Sequence, residues 1–332
     1  FIYEKMEADR TAFQYFYNEL TGLEFLRKDF SVKGRTLEDT AVIGTASLQY
    51  DIAENSRVYG TYATGYRGGA YDMAAGDPED AFANPVKPET STSFELGAKS
   101  RFFDNRLEVN VALFRTIFKD FQAQVADSNT GDDLVNLQPL VFRLDNAGEL
   151  ETKGIEIDFM ARPILPLFLT GSFLYNKAQF NEFDTKCFAG QQPGEAGGVD
   201  EDGDGTCDRQ NVAGGTMPNA PEWSVSLTGR YIIPLNKQGS RIYTQVSGRY
   251  VSDIQFSAGQ HPGTIQDAYQ IWDLRLGWIG LDDRLEVAGY VKNLFAQNYA
   301  AVIASFSVEG DRRDLIHVLP RDADRLFGLS VG

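Results

Sequence analysis

From Arg106 to Phe114 the chain alternates with a period of two. Leu107, Val109, Val111 and Leu113 fall on one side, and Glu108, Asn110 and Ala112 on the other. Such alternation marks an extended strand with one apolar and one polar face. The pattern returns at Leu285, Val287, Gly289 and Val291 against Glu286, Ala288, Tyr290 and Lys292. It returns again at Trp223–Tyr231, Phe94–Lys99, Ile155–Met160 and Trp272–Trp278. Twelve such segments are predicted, near residues 1–15, 40–51, 56–66, 90–103, 106–124, 143–162, 166–180, 219–234, 240–252, 268–280, 284–297 and 323–332. No segment carries a helical period, so the fold is expected to be all-β.

The connections alternate too. Short ones at Asp51–Ser56, Phe103–Asn105, Arg162–Pro166, Leu235–Gly239 and Gly280–Asp283 are separated by long ones near 16–39, 67–89, 125–142, 181–218, 253–267 and 298–322. Antiparallel hairpins need only a few turn residues. Short turns on one rim and long loops on the other predict a transmembrane antiparallel β-barrel. A secreted β-sandwich or propeller also alternates. It does not account for strands past ten residues, for aromatics near strand ends (Tyr50, Phe102, Trp223, Tyr250, Trp278), or for charges such as Lys99, Arg101, Asp158, Arg230 and Arg275 opposite the apolar faces. Val109, Val111, Leu113, Leu285 and Val287 are therefore expected to face lipid, and Glu108, Asn110, Glu286 and Lys292 the lumen.

Composition narrows the chemistry. A net charge of −16 over 332 residues argues against a nucleic-acid partner, whose phosphates would be repelled. Two His and two Cys leave little material for zinc, thiol or haem chemistry. No run of about 18 apolar residues offers a helical membrane span. The chain opens on Phe1 inside a patterned strand, which suggests a mature or truncated product.

Several segments resemble, in collinear order, those of TonB-dependent outer-membrane receptors. Arg57–Asp72 (RVYGTYATGYRGGAYD) is similar to the family's tyrosine-rich strand and Gly-rich loop, and Val86–Lys99 (VKPETSTSFELGAK) to the strand that follows. Asn146–Glu156 resembles the "NAG…KGxE" strand, Pro218–Trp223 (PNAPEW) the approach to the next, and Val291–Tyr299 (VKNLFAQNY) the penultimate segment. Arg325–Gly332 is similar to the closing strand, without its usual terminal aromatic. The resemblance implies the last 12 or so strands of a barrel of about 22. The plug domain, the energy-coupling box and the early strands would belong to the rest of the same receptor. It implies an outer-membrane importer of a scarce bulky nutrient, most often a ferric siderophore, with no covalent chemistry and no required cofactor. The implied partners are outer-membrane lipid, the missing part of the receptor, the TonB complex and a small-molecule chelate. The competing readings are a self-contained 12-strand barrel acting as a porin, or an outer-membrane hydrolase. The latter would need a nucleophile or acid–base constellation that neither His261 nor His317 supplies.

Site residues are expected at the outer mouth. Arg67, Tyr71, His261, Tyr299, Arg312, Arg313 and His317 lie in or near the long loops, where Arg and Tyr suit an anionic chelate. The connection at 181–218 contains VDEDGDGTCDRQN. There Asp200, Asp202, Asp204 and Asp208 match part of an EF-hand-like calcium loop, with Asn211 where the bidentate Glu belongs. A solvated acidic loop is the other reading. Cys187 and Cys207 are expected to pair in this oxidising setting. Carboxylates Glu95, Glu156, Asp158, Asp273 and Glu286 are expected to balance Lys99, Arg101, Arg230 and Lys292 across strands rather than to act as acids and bases.

Overall fold

A computed structural model describes residues 1–17, 25–71, 82, 85–127, 141–188, 190–235, 239–280, 284–307, 313–321 and 323–332. Its main body is one antiparallel sheet of eleven strands. In chain order these are β3 (Gly44–Ala53), β4 (Ser56–Arg67), β5 (Glu89–Phe102), β6 (Leu107–Asp127), β7 (Val141–Ile164), β8 (Leu167–Glu182), β12 (Trp223–Pro234), β13 (Arg241–Val251), β16 (Tyr269–Gly280), β17 (Leu285–Lys292) and β20 (Leu326–Val331). Sequence neighbours pair at every step, giving the order β20-β17-β16-β13-β12-β8-β7-β6-β5-β4-β3. This is the up-and-down topology that alternating short and long connections require. Among the described residues, β3 and β20 remain edges that do not meet.

The register fixes the faces. Val111 lies opposite Ala98 and Ile157, Ile157 opposite Phe173, Phe173 opposite Val225, and Val225 opposite Tyr250. One residue along, Asn110 lies between Lys99 and Asp158, and Asp158 faces Ser172. Cross-strand partners share a face, so the apolar and polar rows separate as the alternation predicts. The apolar face is bare: Leu48, Leu96 and Leu329 are 79%, 60% and 82% exposed. Aliphatic surface on that scale needs a non-aqueous cover. On the polar face, aromatic rings lie across glycines. A Cβ on Gly97 would stand 2.3 Å from the Tyr59 ring, and one on Gly277 equally close to Tyr243. Only glycine leaves room for these cross-strand rings.

Three departures from the predicted elements have physical causes. Residues 16–39, expected as a long connection, hold the end of β1 (Ile2–Tyr17) and most of β2 (Phe25–Ala41), which pair as a separate hairpin. The β2 sequence, FLRKDFSVKGRTLEDTA, is polar at both parities, so no face contrast announced it. The segment expected at 284–297 ends at Lys292, because Asn293 turns out of the strand with φ 48°. The long connections also carry short pairs: β9 (Asp184–Lys186), β10 (Gly198–Val199) and β11 (Arg209–Asn211); β14 (Ile254–Gln255) with β15 (Ile265–Gln266); and β18 (Val302–Ser307) with β19 (Arg313–Val318).

Candidate functional site at the long-loop rim

Strands β6, β7 and β8 have 21, 24 and 16 residues, whereas about 9–11 suffice to cross a bilayer. The excess forms a wall beyond the rim. Near its base, Asp120 takes a positive φ of 51°, and the β6–β7 ladder skips it and Gly148 between the Lys119–Glu149 and Phe121–Ala147 pairs. The alternation resets there, so Phe121, Ala123 and Ala147 join Phe118, Leu150 and Phe180 in one cluster. Phe183, Val212, Met217 and Ala258 close it from the loops, and Leu150, Ala147 and Phe180 have no exposure at all. This apolar seam binds the long loops to the wall.

Polar contacts complete the rim. Lys87 N donates to Asn146 Oδ1 (2.7 Å), and Asn146 Nδ2 donates to the carbonyls of Lys87 (3.0 Å) and Asp120 (2.7 Å). Gln122 N donates to Glu89 Oε2 at 2.8 Å. Two of the segments that carried the family resemblance, Val86–Lys99 and Asn146–Glu156, are thus the two halves of one clasp. A third does similar work: Asn293 Nδ2 donates to Gln297 O (3.0 Å) and Ala323 O (2.7 Å), tying the turn after β17 to the approach to β20.

The 181–218 and 253–267 connections form one cap. Cys187 and Cys207 are joined, with Cα atoms 5.8 Å apart. β9, β11 and β10 make a small sheet behind the bridge. Gln210, fully buried, donates from Nε2 to Lys186 O (3.1 Å) and Gly259 O (3.0 Å). Gln260 Oε1 accepts from Thr216 N (3.1 Å) while its Nε2 donates to Thr216 O (2.8 Å). His261 Nδ1 accepts from Gly263 N at 2.9 Å, starting the 3₁₀ turn Pro262–Thr264, and its ring packs on Phe188.

The acidic turn is largely self-satisfied. Asp200 accepts from Gly203 N (2.6 Å) and Gly205 N (2.9 Å), and Asp208 from Glu201 N (2.8 Å). Carboxylate oxygens of Asp200, Asp202 and Asp208 lie within 4.8 Å of one another. Asp204, expected as a fourth member, turns instead to Thr206, whose N (2.7 Å) and Oγ1 (2.6 Å) both donate to it. Those bonds hold the Asp204 carboxyl below the usual carboxylate range. Asn211 Nδ2 donates to Asp184 (3.0 Å), and Arg209 pairs with Glu201 (3.0 Å), so neither belongs to the carboxylate group.

Among the described residues, those named from sequence for the mouth divide into buried and exposed. Tyr71 is buried against Phe82 and the β1–β2 hairpin, and Tyr299 stacks on Tyr269 with centroids 4.5 Å apart. With His261 they shape the loops rather than offer surface. Arg67, at the end of β4 opposite Glu89, and His317, in β19 opposite Ile303, are exposed. Arg313 opens β19, and Arg312 lies outside the described residues. Sequence reasoning missed Gln210, Gln260 and Asn146, whose amides carry no periodic signal.

The polar face below is a hydrogen-bonded lattice. Arg275 donates to Tyr243 Oη (2.7 Å), Glu286 (3.0 Å) and Ser330 (2.8 Å), while Tyr243 Oη donates to Glu286. Arg101 meets Glu108 at 3.0 Å, and Arg230 stacks on Tyr243. Cross-strand balancing therefore holds for Glu286, with Arg275 as partner. Glu95 instead accepts from Tyr59 Oη (2.7 Å), and Asp273 from Asn293 N (2.8 Å).

Residues 11–294 match the family model described as TonB dependent receptor-like, beta-barrel. The ferric-pyoverdine M114 receptor PbuA of Pseudomonas sp. (strain M114) is 25% identical over 95% of this chain and 33% of its own. The catecholate siderophore receptor Fiu of Escherichia coli (strain K12) is 25% identical over 81% of this chain and 31% of its own. The chain spans about a third of the length of the curated relatives it matches. Among solved structures, the ferric yersiniabactin uptake receptor FyuA from Yersinia pestis superposes with a TM-score of 0.63 at 18% identity, covering 92% of this chain and 38% of that one. The siderophore receptor PiuA from Acinetobacter baumannii gives 0.58 at 17%, covering 99% and 39%.

Proposed function

The chain belongs to the TonB-dependent receptor β-barrel family of the outer membrane, and from that membership we propose that it forms part of an importer of ferric siderophores. The family consists of transport receptors, not enzymes. The observation that carries the proposal is the cap at 181–218 and 253–267, fastened to an extended β6–β8 wall above a polar face. Such a mouth captures a bulky, polar solute, and the lattice beneath it suits a hydrated partner better than lipid. The two separate edges at β3 and β20 support further strands closing the sheet, since open edges are not tolerated in lipid. On this reading a plug domain fills the lumen and the TonB complex powers it.

The exposed Arg67 and His317 are the side chains of the named set best placed to meet an anionic chelate. The test is fluorescence quenching of the purified full-length receptor with a panel of ferric hydroxamate, catecholate and mixed chelates. At least one is expected to bind, and replacing the 184–217 cap by a short turn is expected to weaken it at least tenfold. No binding across the panel would overturn the reading.

A further inference from the structure

The polar face is not electrically uniform. On β12 to β17 it presents Arg230, Arg249, Arg275 and Lys292 against Asp273 and Glu286. Four cations against two carboxylates leave two positive charges there, in a chain whose net charge is −16. On β7 the same face presents Glu156 and Asp158, neither with an ion pair among the described residues. Asp158 and Arg249 lie in one row, separated by Ser172 and Ser226, whose hydroxyls meet at 2.7 Å. A neutral hydroxyl strip thus divides a negative wall from a positive one.

The positive wall is stepped. Arg230, Gln245, Arg275 and Tyr290 share a row. Lys292 lies two residues nearer the mouth than Tyr290 along β17, and Arg249 lies four residues nearer it than Gln245 along β13. At about 3.4 Å per residue each step is about 7 Å, and strands about 4.8 Å apart keep consecutive cations within roughly 12 Å. A solute of that width meets the next cation before it leaves the last. Three of the four are uncommitted. Arg249 and Lys292 are exposed without an ion pair among the described residues, Arg249 lying over the Tyr269 ring at 5.8 Å. Arg230 stacks on Tyr243 at 3.8 Å, and its Nε is buried without a hydrogen-bond partner. Arg275 alone is engaged, by Tyr243, Glu286 and Ser330.

We propose that the solute this receptor imports is anionic and descends along the β12–β17 wall, passing from Arg249 to Lys292 and then to Arg230 and Arg275. This rests on the importer reading above and adds to it a charge class and a path. A cleft lined by one sign of charge raises the local concentration of the opposite ion, and the rates that depend on it, by about 10- to 1,000-fold. Passage also requires that no single step hold the ion too tightly, which several separated cations satisfy and one deep site does not. At the lower end Glu286 already neutralises Arg275, so the last step favours release.

The test uses cells carrying the full-length receptor and three radioiron probes. These are a trianionic ferric tris-catecholate, an uncharged ferric trihydroxamate, and a ferric trihydroxamate bearing a free ammonium group. Binding on ice reads the mouth, and energised uptake reads the path. The catecholate is expected to enter at least about tenfold faster than the ammonium probe. Arg249→Gln with Lys292→Gln should slow its uptake about tenfold, with binding on ice and receptor abundance unchanged. Glu156→Gln with Asp158→Asn, on the other wall, should not slow it. Uptake of the uncharged or ammonium probe equal to that of the catecholate would overturn the inference and leave the import reading standing. So would equal slowing by the two double variants, or wild-type uptake in Arg249→Gln with Lys292→Gln. Binding of none of the three probes would remove the import reading and this inference together.

Discussion

The membrane-crossing sheet and the cap above it are built from the same kind of chain under different solvents. Within the sheet each strand separates lipid from water, so every second residue is constrained and the register follows from the hydrophobic pattern and the short turns. In the cap both sides of a strand meet water or protein. Order there depends on a disulfide, a few amides and one aromatic seam. Rows such as Val111–Ile157–Phe173–Val225 are repetitive and replaceable. Contacts such as Gln210 to Lys186 and Gly259 are singular. A periodic environment writes a periodic sequence, and an irregular one does not.

The comparison breaks first if the sheet faces are exchangeable. Val111→Arg places a cation on the apolar face and is expected to cost ~2–4 kcal/mol near the midplane. Asn110→Arg, one residue away on the polar face, is expected to be nearly neutral. Urea unfolding of receptor refolded into vesicles measures both, and equal effects would mean the register is shifted by one.

In the cap, Cys187→Ser with Cys207→Ser opens a covalent loop whose closure is worth about 3 kcal/mol in the chain-entropy model. The loss should be local: faster proteolysis within 184–217 with the sheet's thermal transition unchanged. A joint fall of both would show that cap and sheet form one cooperative unit. Asn146→Ala tests the clasp between them. Losing its bonds to Lys87 and Asp120 is expected to cost about 1–3 kcal/mol. The readout is hydrogen exchange of the amides around Lys87 and Asp120, which should quicken before those of β12 or β13.

The smallest effects lie in the acidic turn. Calcium is expected to bind no more tightly than about 10⁻⁴–10⁻³ M, as in other extracellular modules. Asp200→Asn with Asp208→Asn should abolish the calorimetric signal, and Asp204→Asn should leave most of it. A flat wild-type titration would leave a self-capped acidic turn. Because Thr206 lowers the Asp204 carboxyl in the folded turn, its stabilising contribution is present above the ordinary carboxylate pKa. It is lost as pH falls through the lowered value. Thr206→Val should shift that titration upward, as followed by NMR.

What was legible in the sequence divides along the same line. Eleven of the twelve predicted segments became the sheet, since lipid on one face and a polar lumen on the other leave a period of two. β2 escaped because its outward and inward positions are both polar. The reset where the ladder skips Asp120 and Gly148 escaped because the sequence marks it with only one glycine and an ordinary aspartate. At the mouth, residue type alone put Tyr71, His261 and Tyr299 beside Arg67 and His317. Burial separates them, since an aromatic in a loop serves packing as readily as recognition. The pairing of Cys187 with Cys207 was readable, because only two cysteines exist and they sit in one connection.

The central claim is that the cap faces the outside of the cell while the short turns face the periplasm. Single cysteines at Glu201→Cys, in the cap, and Asn55→Cys, in the β3–β4 turn, test it most directly, with the Cys187–Cys207 bridge left intact. A membrane-impermeant maleimide added to intact cells carrying the full-length receptor should label Glu201→Cys at once, and Asn55→Cys only after the outer membrane is broken. Labelling of Asn55→Cys in intact cells, with Glu201→Cys protected, would contradict the account.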